Sequence, residues 1–327
     1  MRVLVTEPLP GKGIDLLSNR YEVTVGQRGE FDRESRLLET IGSYDALLSC
    51  LSNPVSRKVL EAGQNLRIVS NFAVGYNNID VEAAKELGIL VANTPDVLTE
   101  ATADCAFALL LGVARRLRDA ESQLRNGDFD GWHPFGFLGT ELYGKRVGII
   151  GMGRIGRAFA RRARGFGMQI YYHNRNRLDP QDEQQLDAQY TSSIDELIES
   201  SDILSLHCPL TPDTKHLINR DRLSRMKSGA IIINTARGPV IDEPALASAL
   251  HEKQIGGAGL DVYEKEPEVH PDLLTAPNCL LLPHIGSATT ETRSRMSALA
   301  ASSIISHLSG KPDHAIPALV FQRSKPE

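Results

Sequence analysis

The chain has 327 residues, and its 41% hydrophobic content is enough to fill the cores of two domains of ordinary size. A formal net charge of -5, with lysine and arginine scattered along the chain, gives no indication of a nucleic-acid partner. No stretch approaches the roughly 20 apolar residues of a membrane span, the N-terminus does not resemble a signal peptide, and the four cysteines form no CxxC pair or metal-binding cluster. We therefore expect a soluble, cytoplasmic protein that binds no nucleic acid, membrane or metal.

Short apolar runs alternate with helix-like segments in the first hundred residues, a pattern typical of a parallel sheet with crossover helices. The expected strands are 3–6, 21–25, 46–49, 68–71 and 89–92. The expected helices between them are 10–18, 33–41, 56–62 and 81–87. A long alanine- and leucine-rich helix is predicted from about 99 to 124. An irregular segment, 125–142, follows it and holds the only tryptophan, Trp132.

A second alternating group follows, whose short, β-branched runs are typical of strands buried on both faces. The expected strands are 146–150, 169–173, 189–190, 203–206, 230–234, 257–261 and 279–282. An alanine-rich helix is then predicted over 287–308, and we interpret it as returning to the first group. The sequence thus predicts an α/β protein with two parallel-sheet domains that are discontinuous in sequence, 1–100 with 287–327, and 101–286.

A glycine-rich turn joins one predicted strand to a helical segment. The sequence Gly151-Met152-Gly153-Arg154-Ile155-Gly156 directly follows strand 146–150. In such a G-x-G-x-x-G turn the first glycine permits the tight turn, the second lets the backbone approach a pyrophosphate, and the third lets helix pack on strand. The N–H groups of the helix N-terminus then hold the anion. A turn without a ligand is the alternative, but strand, turn and helix in this order favour a dinucleotide site.

The next predicted strand ends without the acidic residue that NAD enzymes usually place on the ribose 2′-hydroxyl. Strand 169–173 is followed instead by Asn174 and Arg175. A carboxylate there would repel a 2′-phosphate, whereas Asn174 can donate a hydrogen bond to one and Arg175 can bind it through its planar fork. We therefore predict that NADP(H) is favoured over NAD(H), which stays open as an alternative, as does a solvated arginine loop.

Three polar side chains follow the ends of predicted strands in the second group. Arg237 comes after 230–234, Glu266 after 257–261, and His284 after 279–282. Open parallel sheets place their ligands at the carboxyl ends of the strands, and these three residue types together suit the reduction of a carbonyl group. Each alone has an ordinary explanation as a surface or loop residue, and Glu264 is a rival to Glu266.

Five segments give nearly the whole chain a close resemblance to the D-isomer-specific 2-hydroxyacid dehydrogenase family. They are Asn71-Phe72-Ala73-Val74-Gly75-Tyr76-Asn77-Asn78-Ile79-Asp80, residues 148–156, Asn234-Thr235-Ala236-Arg237-Gly238, residues 261–267, and Pro283-His284-Ile285-Gly286-Ser287-Ala288. Within the family the chain looks most like the glyoxylate/hydroxypyruvate reductases and 2-ketogluconate reductases, because of the 138–145 lead-in and Asn174-Arg175. The resemblance implies two Rossmann-like domains, a flavodoxin-like substrate (catalytic) domain at 1–100 and 287–327 and a dinucleotide-binding domain at 101–286.

The resemblance also implies an activity, the NADPH-dependent reduction of glyoxylate, hydroxypyruvate or 2-ketogluconate to the D-2-hydroxyacid. Arg237 would bind the substrate carboxylate and polarise the keto oxygen. His284 would act as general acid, and as base in the reverse direction. Glu266 would accept a hydrogen bond from His284, orient the ring and favour its protonated form.

Further positions match the family residue by residue. The cofactor-binding set is Gly151, Gly153, Arg154, Ile155, Gly156, Asn174, Arg175, Thr102, Cys208, Pro209, Thr214, Thr235, Ala236, Asp261, His284 and Gly286. Asp261 would hold the nicotinamide amide, or would simply cap a strand end. The substrate-binding set is Leu51, Ser52, Val74, Gly75, Arg237 and His284, with backbone N–H groups of Val74-Gly75 on the carboxylate. A homodimer is implied, with the long helix and the arm at 125–142 as its interface; Trp132 either approaches the partner's site or only packs.

Other members of the family and a different class of protein stay open. Phosphite dehydrogenases and 3-phosphoglycerate dehydrogenases share the core of the fold. Non-catalytic, dinucleotide-sensing interaction proteins can also keep the arginine, glutamate and histidine. Oxidation of the reduced cofactor with a panel of 2-ketoacids separates these classes.

Overall fold

The chain divides into two compact units in the computed structural model, Met1–Leu98 with Ser287–Glu327, and Thr99–Gly286. The structure describes residues 1–311, 313, 316 and 318–321. Residues 312, 314–315, 317 and 322–327, which include the end of the first predicted domain, lie outside the described residues.

The first unit is a five-stranded parallel sheet flanked by helices. Its strands are β1 (Arg2–Val5), β2 (Glu22–Val25), β3 (Ala46–Ser49), β4 (Ile68–Asn71) and β5 (Leu90–Ala92), in the order β2-β1-β3-β4-β5. Its helices are α1 (Gly13–Ser18), α2 (Glu34–Thr40), a 3-10 turn (Ile41–Ser43), α3 (Arg57–Ala62), α4 (Val81–Glu86) and the C-terminal helix (Thr290–Leu308). This strand order is that of the flavodoxin-like folds.

Alternation of side chains along the strands gives this sheet two apolar faces. Leu4 and Leu47 belong to one buried cluster, and Val3, Val5 and Leu48 belong to the other. Successive residues of a strand point to opposite faces, so both faces need a covering layer of helices. The continuous apolar runs in the sequence follow from this double burial.

The second unit is a seven-stranded parallel sheet with helices between its strands. Its strands are β6 (Arg146–Ile150), β7 (Gln169–His173), β8 (Ala188–Tyr190), β9 (Ile203–Leu206), β10 (Ile231–Asn234), β11 (Gly257–Leu260) and β12 (Cys279–Leu281), in the order β12-β11-β10-β9-β6-β7-β8. Its helices are α5 (Thr99–Ala114), α6 (Leu117–Arg125), α7 (Arg154–Gly165), α8 (Pro180–Leu186), α9 (Ile194–Ser200), α10 (Arg220–Arg225), a 3-10 turn (Gly238–Val240), α11 (Glu243–His251) and α12 (Pro271–Thr275). Both sheets confirm the predicted α/β class.

The prediction of one continuous helix over 99–124 is wrong. The segment is two helices, α5 and α6, separated at Arg116, whose φ of +52° is left-handed. The backbone of the arm crosses the end of α5, where Thr140 N–H donates to the Ala114 carbonyl oxygen at 2.8 Å. That approach is so close that a Cβ at Gly139 would lie 2.2 Å from the same oxygen. The carbonyl that would continue α5 is therefore already bound by another segment.

Among the described residues, none of the helices combines the length and the apolar character needed to cross a bilayer. The same residues contain no group of three or more His, Cys, Asp or Glu side chains placed to hold a metal ion.

Candidate active site

The glycine turn lies where the order of the second sheet reverses, between β6 and β9. Chain segments leave β6 toward β7 on one side and return to β9 on the other, which is the position where open α/β sheets bind ligands. Gly151 has a φ of +96°, and a Cβ there would lie 2.5 Å from the backbone nitrogen of Cys208. A Cβ at Gly156 would lie 2.2 Å from the Gly151 carbonyl oxygen. Backbone conformation and packing therefore require the first and third glycines.

The second glycine of the turn, Gly153, is not required by backbone conformation or by packing. Gly153 has a φ of -79°, and a Cβ there would meet no protein atom within 4 Å. Neither its backbone nor its neighbours exclude a side chain. The remaining reason for glycine is a ligand that approaches the backbone at the N-terminus of α7, where no side chain caps the N–H groups.

A buried hydroxyl at the end of β10 also fits a dinucleotide. Thr235 is 9% exposed, and its Oγ1 has no hydrogen-bond partner within the described part of the chain. Because a buried hydroxyl without a partner is costly, it is a group that a bound ligand can satisfy. Gly153 and Thr235 thus fit a nicotinamide dinucleotide at this edge of the sheet.

Asn174 connects the end of β7 to the glycine turn. Its Oδ1 accepts the Met152 N–H at 2.6 Å, so its amide NH₂ is turned away from the turn. Arg175 is exposed beside it, whereas the nearby Arg177 forms a two-bond ion pair with Glu183. The loop therefore offers one donor amide and one exposed guanidinium next to the turn.

The predicted cofactor-lining residues follow several strand ends of the second unit. Cys208 and Pro209 follow β9, with Cys208 against Gly151, and the Pro209 carbonyl oxygen accepts the Thr214 hydroxyl at 2.7 Å. Ala236 follows β10, and its N–H donates to the Asn234 side chain at 3.0 Å. Thr102 lies on α5, where it would contact a Cβ built at Gly286.

Arg237, Glu266 and His284 follow three neighbouring parallel strands, β10, β11 and β12. Parallel strands bring their carboxyl ends to one edge. His284 Nδ1 lies 2.8 Å from Glu266 Oε2, and about a third of each side chain is exposed. The structure therefore pairs the predicted histidine and glutamate at a site that a small molecule can reach.

Burial and the neighbouring charges shift the pKa of the Glu266 carboxyl group in opposite directions. Burial raises its pKa, but the hydrogen bond and charge of His284, the Tyr263 N–H at 3.0 Å and the charge of Arg237 together leave the pKa below its ordinary value. Burial lowers the pKa of Arg237, and the carboxylate of Glu266 opposes this shift. The arginine and the carboxylate are thus close enough for each to favour the charged form of the other.

Glu264, the rival to Glu266, faces a different set of residues. Its carboxylate lies 3.1 Å from His216 Nε2 and accepts the Glu243 N–H at 2.9 Å, while its own N–H donates to the Glu243 carboxylate at 2.6 Å. Glu243 is 5% exposed. This reciprocal link joins the first turn of α11 to the loop that carries Glu266, so geometry separates the two glutamates.

Glu243 was not predicted from the sequence. A buried acid at the start of a helix has the pattern of an ordinary first-turn residue, and only its contact with the loop after β11 distinguishes it. Its pKa is raised, chiefly by burial.

Asp261 anchors the turn that follows His284. Its two carboxylate oxygens accept the N–H groups of Ile285 and Gly286, each at 2.7 Å, and the side chain is 1% exposed. Burial raises its pKa, while these two N–H groups and the charge of His284 lower it. His284 itself has a left-handed φ of +54°. Asp261 therefore holds the histidine turn from the neighbouring strand.

The predicted substrate residues of the first unit lie in two loops after β3 and β4. Leu51 and Ser52 follow β3, where the Asn53 side chain accepts the Cys50 N–H at 2.7 Å. Val74 and Gly75 follow β4 and are partly buried. Both loops lie at the carboxyl edge of their own sheet.

Comparison with known proteins identifies the family. A model of the NAD-binding domain of D-isomer specific 2-hydroxyacid dehydrogenases matches residues 107–286. A glyoxylate reductase from Thermococcus onnurineus is 47% identical over 315 residues, which are 95% of this chain and 93% of that protein. The crystal structure of a glyoxylate reductase from Paecilomyes thermophila has a TM-score of 0.88 at 38% identity and covers 98% of both chains.

A structure with bound ligands is similar over the same length. It is an NADPH-dependent glyoxylate/hydroxypyruvate reductase from Sinorhizobium meliloti, solved with NADP and malonate, with a TM-score of 0.87 at 35% identity. The similarity covers 100% of this chain and 99% of that protein. The prediction of an NAD(P)-dependent oxidoreductase is confirmed by these matches, as is the resemblance drawn from the motifs. The chain belongs to the D-isomer-specific 2-hydroxyacid dehydrogenase family.

Proposed function

We propose that the protein is an NADPH-dependent reductase that converts a small 2-ketoacid, such as glyoxylate, hydroxypyruvate or 2-ketogluconate, to the D-2-hydroxyacid. The observation that carries this proposal is the 2.8 Å pairing of His284 with Glu266, at the edge that also holds Arg237. The glyoxylate reductases among the relatives support the substrate class.

Arg237 binds the substrate in this proposal. Its guanidinium carries a permanent charge and several donors in one plane, which match a carboxylate next to a carbonyl oxygen. Its partial burial strengthens those interactions because the local dielectric is low. Donation to the keto oxygen draws electrons from C2 and prepares that carbon for reduction.

His284 supplies the proton. Glu266 accepts at 2.8 Å from Nδ1, so Nδ1 carries a hydrogen and Nε2 is the nitrogen available to the substrate. The Nε2–H of the ring protonates the keto oxygen as C2 is reduced. A positioned acid of this kind contributes about 10²- to 10⁴-fold to the rate. NADPH, when bound, supplies the hydride.

The cofactor is held at the carboxyl edge of the second sheet. N–H groups at the start of α7 bind the pyrophosphate beside Gly153, and Thr235 offers its unpartnered hydroxyl. The amide NH₂ of Asn174 and the guanidinium of Arg175 bind the 2′-phosphate. This arrangement is the basis for preferring NADPH to NADH.

Oxidation of NADPH and of NADH with a panel of 2-ketoacids tests this function. We expect turnover of glyoxylate or hydroxypyruvate, with kcat/KM at least about tenfold higher with NADPH than with NADH. Turnover of phosphite or 3-phosphoglycerate alone, in the oxidative direction, would identify another member of the family. Tight cofactor binding without turnover of any ketoacid would favour a dinucleotide-sensing protein and contradict the proposal.

Replacement of His284 by alanine tests the acid. We expect kcat to fall about 10²- to 10⁴-fold while the KM for NADPH changes little. His251→Ala is the matched control, because His251 is exposed and its ring hydrogen-bonds to the backbone carbonyl oxygen of Asp272, away from Glu266 and Arg237 in the sequence. Turnover of the His284→Ala protein within a few-fold of the parent would exclude the proposed role.

We also propose that the protein is a homodimer. Residues 126–145, which include nearly all of the arm, contain no helix or strand. The arm nevertheless exposes large apolar side chains, among which Trp132 and Phe135 are 84% exposed. A groove of about 440 Å³ lies between α5 and α7, with Phe107 and Phe166 in its lining. Exposed apolar surface of this kind is typical of an interface, and a second copy of the chain would cover it.

The single tryptophan gives a direct test, because its fluorescence reports on the arm alone. We expect a dimer mass by light scattering and a red shift of the emission on dilution, as Trp132 becomes exposed to water. Trp132→Ser with Phe135→Ser should weaken the dimer. A monomeric protein at all concentrations would refute this part of the proposal.

A further inference from the structure

Tyr263 lies in the loop after β11, three residues before Glu266. Its side chain is 7% exposed and belongs to a buried apolar cluster that includes Leu273 and Cys279. Burial raises the pKa of its hydroxyl group, which therefore keeps its proton at neutral pH. Packing thus holds the ring, and the hydroxyl acts as a hydrogen-bond donor.

The hydroxyl of Tyr263 holds the chain that leads into His284. It donates to the carbonyl oxygen of Leu282 at 2.8 Å, whereas the carbonyl oxygen of Leu260 is a more distant contact at 3.5 Å. The N–H of Leu282 continues the pairing of β12 with β11, since it donates to the Leu260 carbonyl oxygen at 2.8 Å. Both polar backbone groups of Leu282 are therefore held.

Little conformational freedom remains between this carbonyl group and His284. A peptide group is planar, so the bond to the Leu282 oxygen also orients the plane that leads into Pro283. The ring of the proline then holds its own φ at about -65°. On the other side of the histidine, the Asp261 carboxylate binds the two N–H groups that follow. The turn that carries His284 is therefore held both before and after the histidine.

The backbone of Tyr263 contacts the other two segments of the site. Its N–H donates to Oε1 of Glu266 at 3.0 Å, and Oε2 of the same carboxylate lies 2.8 Å from Nδ1 of His284. Its carbonyl group lies against Gly238, the residue after Arg237, so closely that a Cβ at Gly238 would overlap it. The loop that carries Arg237 therefore packs directly on the peptide group of Tyr263.

We infer that Tyr263 is a positioning residue for the pair formed by His284 and Glu266. Its hydroxyl holds the turn that carries the ring, and its N–H holds the carboxylate, so that one residue sets the distance between Nδ1 and Oε2. The kinetic consequence of this inference rests on the proposed reductase function, whereas its consequence for the hydrogen bond does not.

Tyr263→Phe tests the inference by kinetics, because it removes the hydroxyl and keeps the ring in the core. We expect kcat with glyoxylate to fall about 3- to 10-fold, the effect of one lost hydrogen bond, while the KM for NADPH stays within about twofold. Tyr44→Phe is the matched control, since Tyr44 is 5% exposed and its hydroxyl donates to the Thr24 hydroxyl at 3.0 Å in the first unit. Both variants should lose similar stability to chemical denaturation, and only Tyr263→Phe should lose kcat. Equal kcat values in the two variants would overturn the inference.

Nitrogen NMR of protein that contains isotope-labelled histidine gives a second readout, which does not depend on turnover. The shifts of the His284 ring, assigned by their loss in His284→Ala, report which nitrogen carries the hydrogen when the ring is neutral. We expect the hydrogen on Nδ1 in the parent, a partial transfer to Nε2 in Tyr263→Phe, and no change in Tyr44→Phe.

The two readouts separate this inference from the proposed function. A protein that reduces glyoxylate, but whose His284 shifts are the same in Tyr263→Phe as in the parent, would refute the inference and leave the proposed function intact. Shifts that respond to Tyr263→Phe in a protein that reduces no ketoacid would support the positioning role and refute the proposed function.

Discussion

Replacement of Asn174 by aspartate should reverse the cofactor preference. The carboxylate has the shape of the carboxamide. Its Oδ1 can still accept the Met152 N–H, which the Asn174 Oδ1 accepts at 2.6 Å in the structure. The glycine turn should therefore keep its conformation. The substitution exchanges the NH₂ donor for an oxygen with negative charge, so it removes a bond to a 2′-phosphate and introduces repulsion.

The size of the effect follows from two contributions. Two unit charges about 4 Å apart interact by about 1 kcal/mol in water and about 4 kcal/mol at an effective dielectric of about 20. The loop is partly exposed, which places the repulsion in the lower half of that range. A lost hydrogen bond to a charged group adds about 1.5 kcal/mol or more. A total of about 2–4 kcal/mol corresponds to a fall of about 30- to 1000-fold in kcat/KM for NADPH.

The assay compares kcat/KM for both reduced cofactors at low and high salt. Asn176→Asp is the matched control, because Asn176 is exposed in the same loop and the variant adds the same charge two residues away. We expect the control to lose only a few-fold with NADPH, and its loss to vanish at high salt. The reasoning would be refuted if Asn174→Asp kept its NADPH preference within about threefold, or if both variants lost the same factor.

Three further predictions concern Glu266, Glu243 and Glu183. Glu266→Gln keeps the size of the side chain but removes its charge, so kcat should fall about 10- to 100-fold while the KM for NADPH changes little; a kcat within a few-fold of the parent would contradict this. Glu243→Ala leaves the Glu264 N–H unpaired, so the free energy of unfolding measured by chemical denaturation should fall by about 1–3 kcal/mol, and kcat should fall as well. Asp242→Ala, which removes only the N-cap of α11, should leave kcat unchanged. Equal losses of kcat in the two variants would argue against the link between Glu243 and Glu264. The Arg177 and Tyr172 hydrogen bonds lower the pKa of Glu183 from its ordinary 4.5 to about 2. Its stabilising effect is therefore complete above pH 4.5 and is lost as the pH falls toward 2, and acid titration of Glu183→Gln should show a smaller loss over that range than the parent.

Much of the sheet architecture was predictable, because parallel strands that are buried on both faces have continuous apolar sequences. The bounds predicted for β3, β4, β6, β7 and β9 agree with the structure. The break at Arg116 was not predictable, because the alanine and leucine pattern continues through it. At this break the Thr140 N–H binds the last carbonyl oxygen of α5, and local propensity carries no information on such a contact.

The members of the candidate site could be named from the sequence, since a residue just past a parallel strand must reach the carboxyl edge. The choice between Glu264 and Glu266 could not be made from spacing. It depends on the Glu243 link, a pair of bonds between a helix and a loop about 20 residues apart. The bonds from the side chains of Asn71 and Asn93 to the carbonyl oxygens of Gly75 and Val74 escaped prediction for the same reason, because they join residues that lie apart in the sequence.

The conformation of His284 shows that a position after a strand does not by itself determine how a side chain is oriented. A left-handed φ at a residue with a Cβ costs about 1–2 kcal/mol, and the sequence Pro283-His284 gives no indication of it. Two bonds from backbone N–H groups to the buried carboxylate of Asp261 stabilise the turn by about 1.5–3 kcal/mol each, which exceeds that cost. The ring can therefore be held toward Glu266, because the Asp261 carboxylate at the end of the neighbouring strand binds the two N–H groups that follow His284. Spacing along the chain identified the histidine, and the bonds to Asp261 at the end of the neighbouring strand hold the turn that carries it.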